Sequence, residues 1–305
     1  MKVAALDLGT NTFLCLVVEV LNGKIEKIIE DQVQIVRLGQ EVNKTKKFHS
    51  EALFRADKCL SDFSKIIQKH NPERILAMAT SAARDVTNAE ELFKIGLKYN
   101  IPIEIIPGEK EAEITYRGST SGLNNELKNI VVLDIGGGST ELILGKGNKV
   151  ITSESVNIGC VRLSEMFLNQ QPATEAQLTK MEEYIEKELS EIINKIKQNQ
   201  VDEILAVAGT PTEIARIEIG SFDAQKIDNM KLSKKLLTEK YNLFSSSTVK
   251  EIENKHQVSA GRADVITVGV LILKKVCEIL NKEYVLVSTR GVRFGVALEV
   301  AERKI

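Results

Sequence analysis

An excess of charge of either sign is what this sequence lacks most. Its 41 Lys and Arg stand against 42 Asp and Glu, a formal net charge of −1. That balance excludes the global basic field with which proteins collect nucleic acid, so a polyanion would have to be held by a local patch. Cysteine and histidine are scarce too. Cys15, Cys59, Cys160 and Cys277 form no CxxC pair, and His49, His70 and His256 lie far apart. Such spacing excludes a zinc site and offers no disulfide framework. Scattered reduced thiols suit a cytoplasmic protein, with each cysteine a small buried hydrophobe. No run approaches 18 uncharged apolar residues, and Asp7 interrupts the first apolar run, so neither a membrane span nor a signal peptide is expected. Low-complexity tracts and long linkers are also missing.

What is there is a pair of glycine-bearing turns. DIGGGSTE, Asp134 to Glu141, stands between the apolar runs Ile130–Leu133 and Leu142–Leu144. DLGTNT, Asp7 to Thr12, likewise precedes the apolar Phe13–Val18. A tight hairpin needs one or two glycines, not three with a Ser-Thr pair. The two turns are offset by 134 − 7 = 127 residues. ILAMATSAAR from Ile75 and ILAVAGTPTEIAR from Ile204 match at 204 − 75 = 129. Two matched segments at nearly one offset indicate an internal duplication. The 305 residues suffice for two domains. We place them at 1–126 and 127–305, the boundary falling in the polar stretch around Asn124-Asn125, with the last helix free to pack back on the first domain.

The stretches between the turns read as mixed helices and strands. Leu53, Ala56, Leu60, Phe63 and Ile67 give Ser50–His70 a helical apolar face. Asn88 is placed to cap a helix over Ala89–Tyr99, and Thr174 with Gln177 forms a capping-box pattern ahead of a longer one. Ile103–Ile106 and Tyr284–Ser288 read as strands; Arg262–Leu280 and Phe294–Arg303 read as helices. This mixture predicts an α/β protein with central sheets.

A turn of the form Asp-x-Gly-x-x-Ser/Thr between strands exposes backbone N–H groups, and glycine lets the chain approach a ligand closely. Successive N–H groups form a nest for anions, above all phosphate. Hydroxyls of Thr10, Thr12, Ser139 and Thr140 add donors. Asp7, Asp134 and Glu141 would repel a phosphate unless Mg²⁺, or Mn²⁺, lay between. Two such turns facing each other across a cleft would clamp a phosphate chain. The double turn is the signature of the ribonuclease H-like, actin-like ATPase fold shared by actin, sugar kinases and heat-shock ATPases.

Further stretches narrow the resemblance. RLGQ from Arg37, TSAARD from Thr80, PGEKEAEITYRG from Pro107, DIGGGSTE, IGCVRLSE from Ile158, RADVI from Arg262 and STRGVRFG from Ser288 occur in the order seen in one family. Together they resemble the exopolyphosphatase/guanosine pentaphosphate phosphohydrolase family (Ppx/GppA), in its short two-domain form, over nearly the whole chain. The resemblance implies release of terminal orthophosphate from inorganic polyphosphate with Mg²⁺, or of the 5′ γ-phosphate from pppGpp. Glu111 stands at the family's catalytic glutamate position, where a carboxylate can take a proton from the attacking water. Asp134 and Glu141 are then the implied Mg²⁺ ligands or water positioners, with Asp7 a further candidate.

Phosphate donors are expected from Asn11 and Thr12 and from Gly136, Gly137, Gly138, Ser139 and Thr140, with Gly209 and Thr210 lining the same cleft. Arg84 is a candidate phosphate clamp, the alternative being a surface ion pair with Asp85 or Glu90. Arg262 matches a family position facing the distal substrate, and Arg290 and Arg293 flank the last motif. Lys44–Lys47 reads as a solvated loop. A kinase or a non-catalytic nucleotide-binding protein of the same fold is the remaining alternative. A homodimer is compatible with the reading; a nucleic-acid or membrane partner is not expected.

Overall fold

The computed structural model describes residues 1–123 and 128–303; the stretch around Asn124-Asn125 lies outside them. The chain divides into two compact units, Met1–Leu123 with Arg290–Ile305, and Asn124–Thr289. The first unit is thus made of both ends of the chain.

Its sheet contains β1 (Lys2–Leu8), β2 (Thr12–Leu21), β3 (Lys24–Ile35), β4 (Arg74–Ala79) and β5 (Ile103–Ile105), ordered β3-β2-β1-β4-β5. The first three strands form an antiparallel meander, and β4 and β5 add in parallel beside β1. Alternation along β1 sorts its side chains between two cores. Ala4, Leu6 and Leu8 pack with Ala56, Leu60 and Phe63 of helix Ser50–His70. Val3 and Ala5 pack with Ile114 and with Val292, Phe294 and Val296 of helix Val292–Glu302. That last helix crosses helix Gly108–Thr120 so closely that a Cβ on Gly295 would stand 1.9 Å from Ile114 O.

The second unit repeats the plan. It contains β6 (Asn129–Ile135), β7 (Thr140–Lys146), β8 (Lys149–Val156), β9 (Glu203–Val207), β10 (Lys231–Ser233) and β11 (Tyr284–Val287). The order is β10-β11-β9-β6-β7-β8, again an antiparallel meander with parallel strands added beside its first member and, here, an antiparallel edge strand. The register of the turns is the same in both units. Asp7 faces Leu14 and Leu8 faces Phe13; Asp134 faces Glu141 and Ile135 faces Thr140. This is the ribonuclease H-like topology, duplicated.

Several local expectations hold. Helix Ser50–His70 has the expected bounds, and Thr174 and Gln177 form both bonds of a capping box on helix Glu175–Lys197. Asn88 does not cap. Its Oδ1 accepts from Phe48 N at 2.8 Å and its Nδ2 donates to Phe48 O at 3.1 Å, so a distant backbone segment claims the side chain. The helix expected from Arg262 begins at Ile266.

Candidate active site

The second turn is shaped from behind. Gly136 N–H donates to Ser139 O at 2.9 Å, closing the turn. The segment leading into helix Cys160–Phe167 then takes the turn's carbonyls one after another. Cys160 N–H donates to Gly136 O (3.0 Å), and Val161 and Arg162 N–H donate to Gly137 O (2.9 and 3.0 Å). Arg162 Nε donates to Gly138 O at 2.7 Å. In a trans peptide the N–H points opposite to the C=O. Fixing these three carbonyls therefore turns the N–H groups of Gly137, Gly138 and Ser139 to the other side. There they find no acceptor among the described residues, although all three residues are buried. Buried N–H groups without a partner are rare, and three in succession form an anion nest. Gly159 permits the close backing: a Cβ there would lie 2.4 Å from Gly137 O.

The first turn is backed in the same manner by Val36–Gly39. Gly9 N–H donates to Thr12 O (3.1 Å), Val36 and Arg37 N–H to Asn11 O (2.9 Å each), and Gly39 N–H to Thr10 O (2.8 Å). The N–H groups of Asn11 and Thr12 are directed away from that segment by the same peptide geometry. Arg37 holds a left-handed φ of 53°, the kink that lets successive N–H groups converge on one carbonyl.

Not every expected donor is turned outward. Thr140 is fully buried and donates its hydroxyl to Ile158 O at 2.6 Å, so its side chain joins β7 to the backing segment and has no proton for a phosphate. Thr210 packs against helix Ile266–Ile279, where a Cβ on Gly269 would meet its Oγ1 at 2.2 Å. Its side chain therefore lies against the backbone of that helix at Gly269. Ser139, by contrast, is 2% exposed and shows no side-chain bond among the described residues.

Asp134 and Glu141 are cross-strand partners on one face of the sheet, and both are buried. Ser155, opposite Glu141 on β8, donates to Glu141 Oε1 at 2.6 Å. Carboxylates directly opposite each other repel, and a divalent cation between them removes the repulsion. Mg²⁺ typically binds through one or two carboxylates together with phosphate oxygens. The donor set fits it. Among the described residues no group of three or more His, Cys, Asp or Glu converges.

Glu111 lies in the first turn of helix Gly108–Thr120 and is 5% exposed. Burial pushes its carboxyl above the usual carboxylate range, opposed by Arg84. Arg84 Nη1 stands 2.6 Å from Glu111 Oε2 and also donates to Ile106 O at 2.9 Å. The guanidinium is thus tied to Glu111, 27 residues away, and not to Asp85 or Glu90. A buried carboxylate whose pKa is raised is a stronger base than a solvent-exposed one, and Arg84 fixes its orientation.

After β9 the chain passes through Ala208 (φ 70°, ψ −159°), a region that side chains avoid and that marks stored strain. Gly209 follows, beneath the Arg262 guanidinium; a Cβ there would lie 1.6 Å from Arg262 Nη1. Burial pulls Arg262 below its ordinary range, opposed by the nearby Glu213. Glu213 accepts from Ser259 N at 2.6 Å and pairs with Arg216 at 2.9 Å, fixing the loop that carries Arg262. Arg290 donates to Ser121 O and Oγ at 3.3 and 3.2 Å, and Arg293 pairs with Asp31 at 2.8 Å. Both have structural partners within their own unit. Arg162, Ser155, Gly159 and Glu213 were not singled out from sequence. IGCVR lay inside a recognised motif, but only the fold shows that it backs the turn.

Comparison with known proteins agrees with the architecture. Residues 16–304 match the model of the Ppx/GppA phosphatase family. The chain is 31% identical to exopolyphosphatase 2 of Mycobacterium tuberculosis, covering 98% of each. It is 36% identical over 99% of its length to a bifunctional 3-dehydroquinate synthase/phosphatase of Fusobacterium nucleatum, of which it spans 47%. It is 29% identical to a guanosine-5′-triphosphate,3′-diphosphate pyrophosphatase of Vibrio vulnificus, spanning 59% of that protein. The crystal structure of the Aquifex aeolicus Ppx/GppA family member superposes with a TM-score of 0.81 at 32% identity, covering 98% of this chain and 97% of that one.

Proposed function

The chain belongs to the Ppx/GppA phosphatase family, and from that premise we propose that it is an exopolyphosphatase, releasing terminal orthophosphate from inorganic polyphosphate with Mg²⁺. The family's members are phosphoanhydride hydrolases, generally dependent on a divalent metal. The observation that carries the reading is the run of three N–H groups without an acceptor among the described residues at Gly137–Ser139, next to the opposed carboxylates of Asp134 and Glu141. Nest and carboxylates together suit a metal-bridged phosphate. In the first unit, Asn11 and Thr12 turn N–H groups of the same kind away from their backing segment and can offer them to phosphate. When bound, Mg²⁺ supplies positive charge to the phosphoryl oxygens, held by Asp134 and Glu141 with Asp7 a further candidate. Glu111 orients the attacking water and takes its proton. Arg84 holds that carboxylate in place, which recasts it from phosphate clamp to positioning residue. Arg262 is left as the cation for more distal phosphate.

Hydrolysis of pppGpp is the second reading, favoured by the likeness to the Vibrio protein. Polyphosphate ranks first because the match to the Mycobacterium exopolyphosphatase runs the full length of both chains. Orthophosphate release from long-chain polyphosphate, pppGpp and ATP, assayed side by side with Glu111→Gln as control, decides between them. Release from polyphosphate that is lost in the variant supports the proposal. Preferential release from pppGpp transfers the protein to the second reading, and release from none overturns both.

A further inference from the structure

Helix Gly108–Thr120 carries a polar stripe that the reaction described above does not use. Glu111, Thr115 and Ser119 follow one another at four-residue intervals, which places them on one helix face. All three are buried, Thr115 at 0% and Ser119 at 1% exposure. Among the described residues, Thr115 Oγ1 and Ser119 Oγ have no hydrogen-bond partner. This is not for want of acceptors. On the same helix Thr120 donates back to Tyr116 O at 2.7 Å, and Ser121, just beyond it, donates to Gly118 O at 2.8 Å. Thr115 and Ser119 do not make that bond. A hydroxyl buried without a partner costs about 1–3 kcal/mol, so two side by side require an account.

The chemistry of Glu111 supplies one. Attack by water forms a P–O bond and breaks the bond to the leaving phosphate, and the water's proton passes to the Glu111 carboxylate. Before the next turnover that proton must leave a group that is 5% exposed and has Arg84 bound to one of its oxygens. Arg84 has only donors and cannot accept it.

We propose that Thr115 and Ser119 hold ordered water against Glu111 and relay its proton along this helix face to bulk water beyond the helix's C-terminal end, where Gly122 is exposed. Each hydroxyl can accept from one water and donate to the next, so the proton moves by successive transfer with no net change at either residue. Glu111 and Ser119 are about 12 Å apart along the helix, so one water lies between the carboxylate and Thr115 and a second between Thr115 and Ser119, each with two of the polar partners that a buried water needs. Thr115 and Ser119 are therefore positioning residues acting through water. This inference rests on Glu111 being the base.

The test uses Thr115→Val and Ser119→Ala, singly and combined, with Glu111→Gln in parallel. Each change removes a hydroxyl and keeps the volume nearly constant. A relay predicts that the double variant loses about ten- to a hundredfold in kcat with KM unchanged, and that its solvent deuterium isotope effect on kcat rises because proton departure limits turnover. An unchanged kcat and isotope effect, with a higher Tm from deletion of two unsatisfied groups, overturns the relay. Should Glu111→Gln itself retain full turnover, the assignment of the base fails, independently of the relay.

Discussion

The two glycine turns share a backbone and differ in what they carry. Each follows the first strand of a meander, closes with a Gly N–H to carbonyl bond, and is backed by a segment with its own close-packed glycine. Yet Leu14 stands where the second turn has Glu141, and Thr10-Asn11 stands where it has Gly137-Gly138. The helices that follow β4 and β9, Ser81–Arg84 and Gly209–Ile219, repeat the contrast. At the duplication offset of 129, Arg84 in the first unit corresponds to Glu213 in the second, and each is locked in an ion pair of opposite orientation. Duplication preserved the geometry that presents N–H groups; the charged chemistry was divided between the copies. The second turn carries the carboxylate pair, and the first unit carries the buried carboxylate of Glu111 beside Arg84.

If that division is right, changes at the specialised positions should hurt most. Glu111→Gln is expected to lower kcat by about 10²–10⁴-fold, the range for a general base, with polyphosphate affinity retained in equilibrium binding. Its stability effect has a definite sign. Because burial raises the folded-state pKa of Glu111, stability from this group is fully present below its unfolded pKa and is lost as pH rises through the folded value. The Tm of the parent relative to the variant should therefore fall as pH rises from acid to neutral.

Glu141→Leu makes the second turn resemble the first. It should shift the Mg²⁺ dependence of turnover to concentrations about 10–100-fold higher, read by metal titration. Ser139→Ala removes a hydroxyl but no N–H, so KM should rise about tenfold, the worth of one hydrogen bond to a charged group. Thr140→Val, one residue along, should act on the fold. It leaves Ile158 O without its donor and costs about 1–3 kcal/mol in denaturant unfolding, with KM changed less than in Ser139→Ala. Equal KM effects at 139 and 140 would contradict the assignment of their hydroxyls to different sides of the turn.

What sequence conveyed well was local. The turns, helix Ser50–His70 and the capping box at Thr174 are specified by residues within a few positions of one another. The opposition of Asp134 and Glu141 follows from strand, turn and strand in succession. What it conveyed poorly was long-range pairing. Arg84 had acidic neighbours at 85 and 90, yet its partner is Glu111, because helices Ser81–Arg84 and Gly108–Thr120 follow adjacent parallel strands. Asn88 had the spacing of a cap, but Phe48 offers it two bonds where a cap offers one. Arg162 and Glu213 act on loops that only the fold brings to them.

The split composition of the first unit bears on how the molecule comes into being. A ribosome delivers the chain from one end, and Asn124–Thr289 forms a contiguous unit once its own residues have emerged. The earlier-made unit has to wait. Val3, Ala5, Leu16 and Val18 stay uncovered until Val292, Phe294, Val296 and Leu298 arrive to pack on them. The part synthesised first is thus finished last, and its exposed sheet face is what a chaperone would have to guard during that interval.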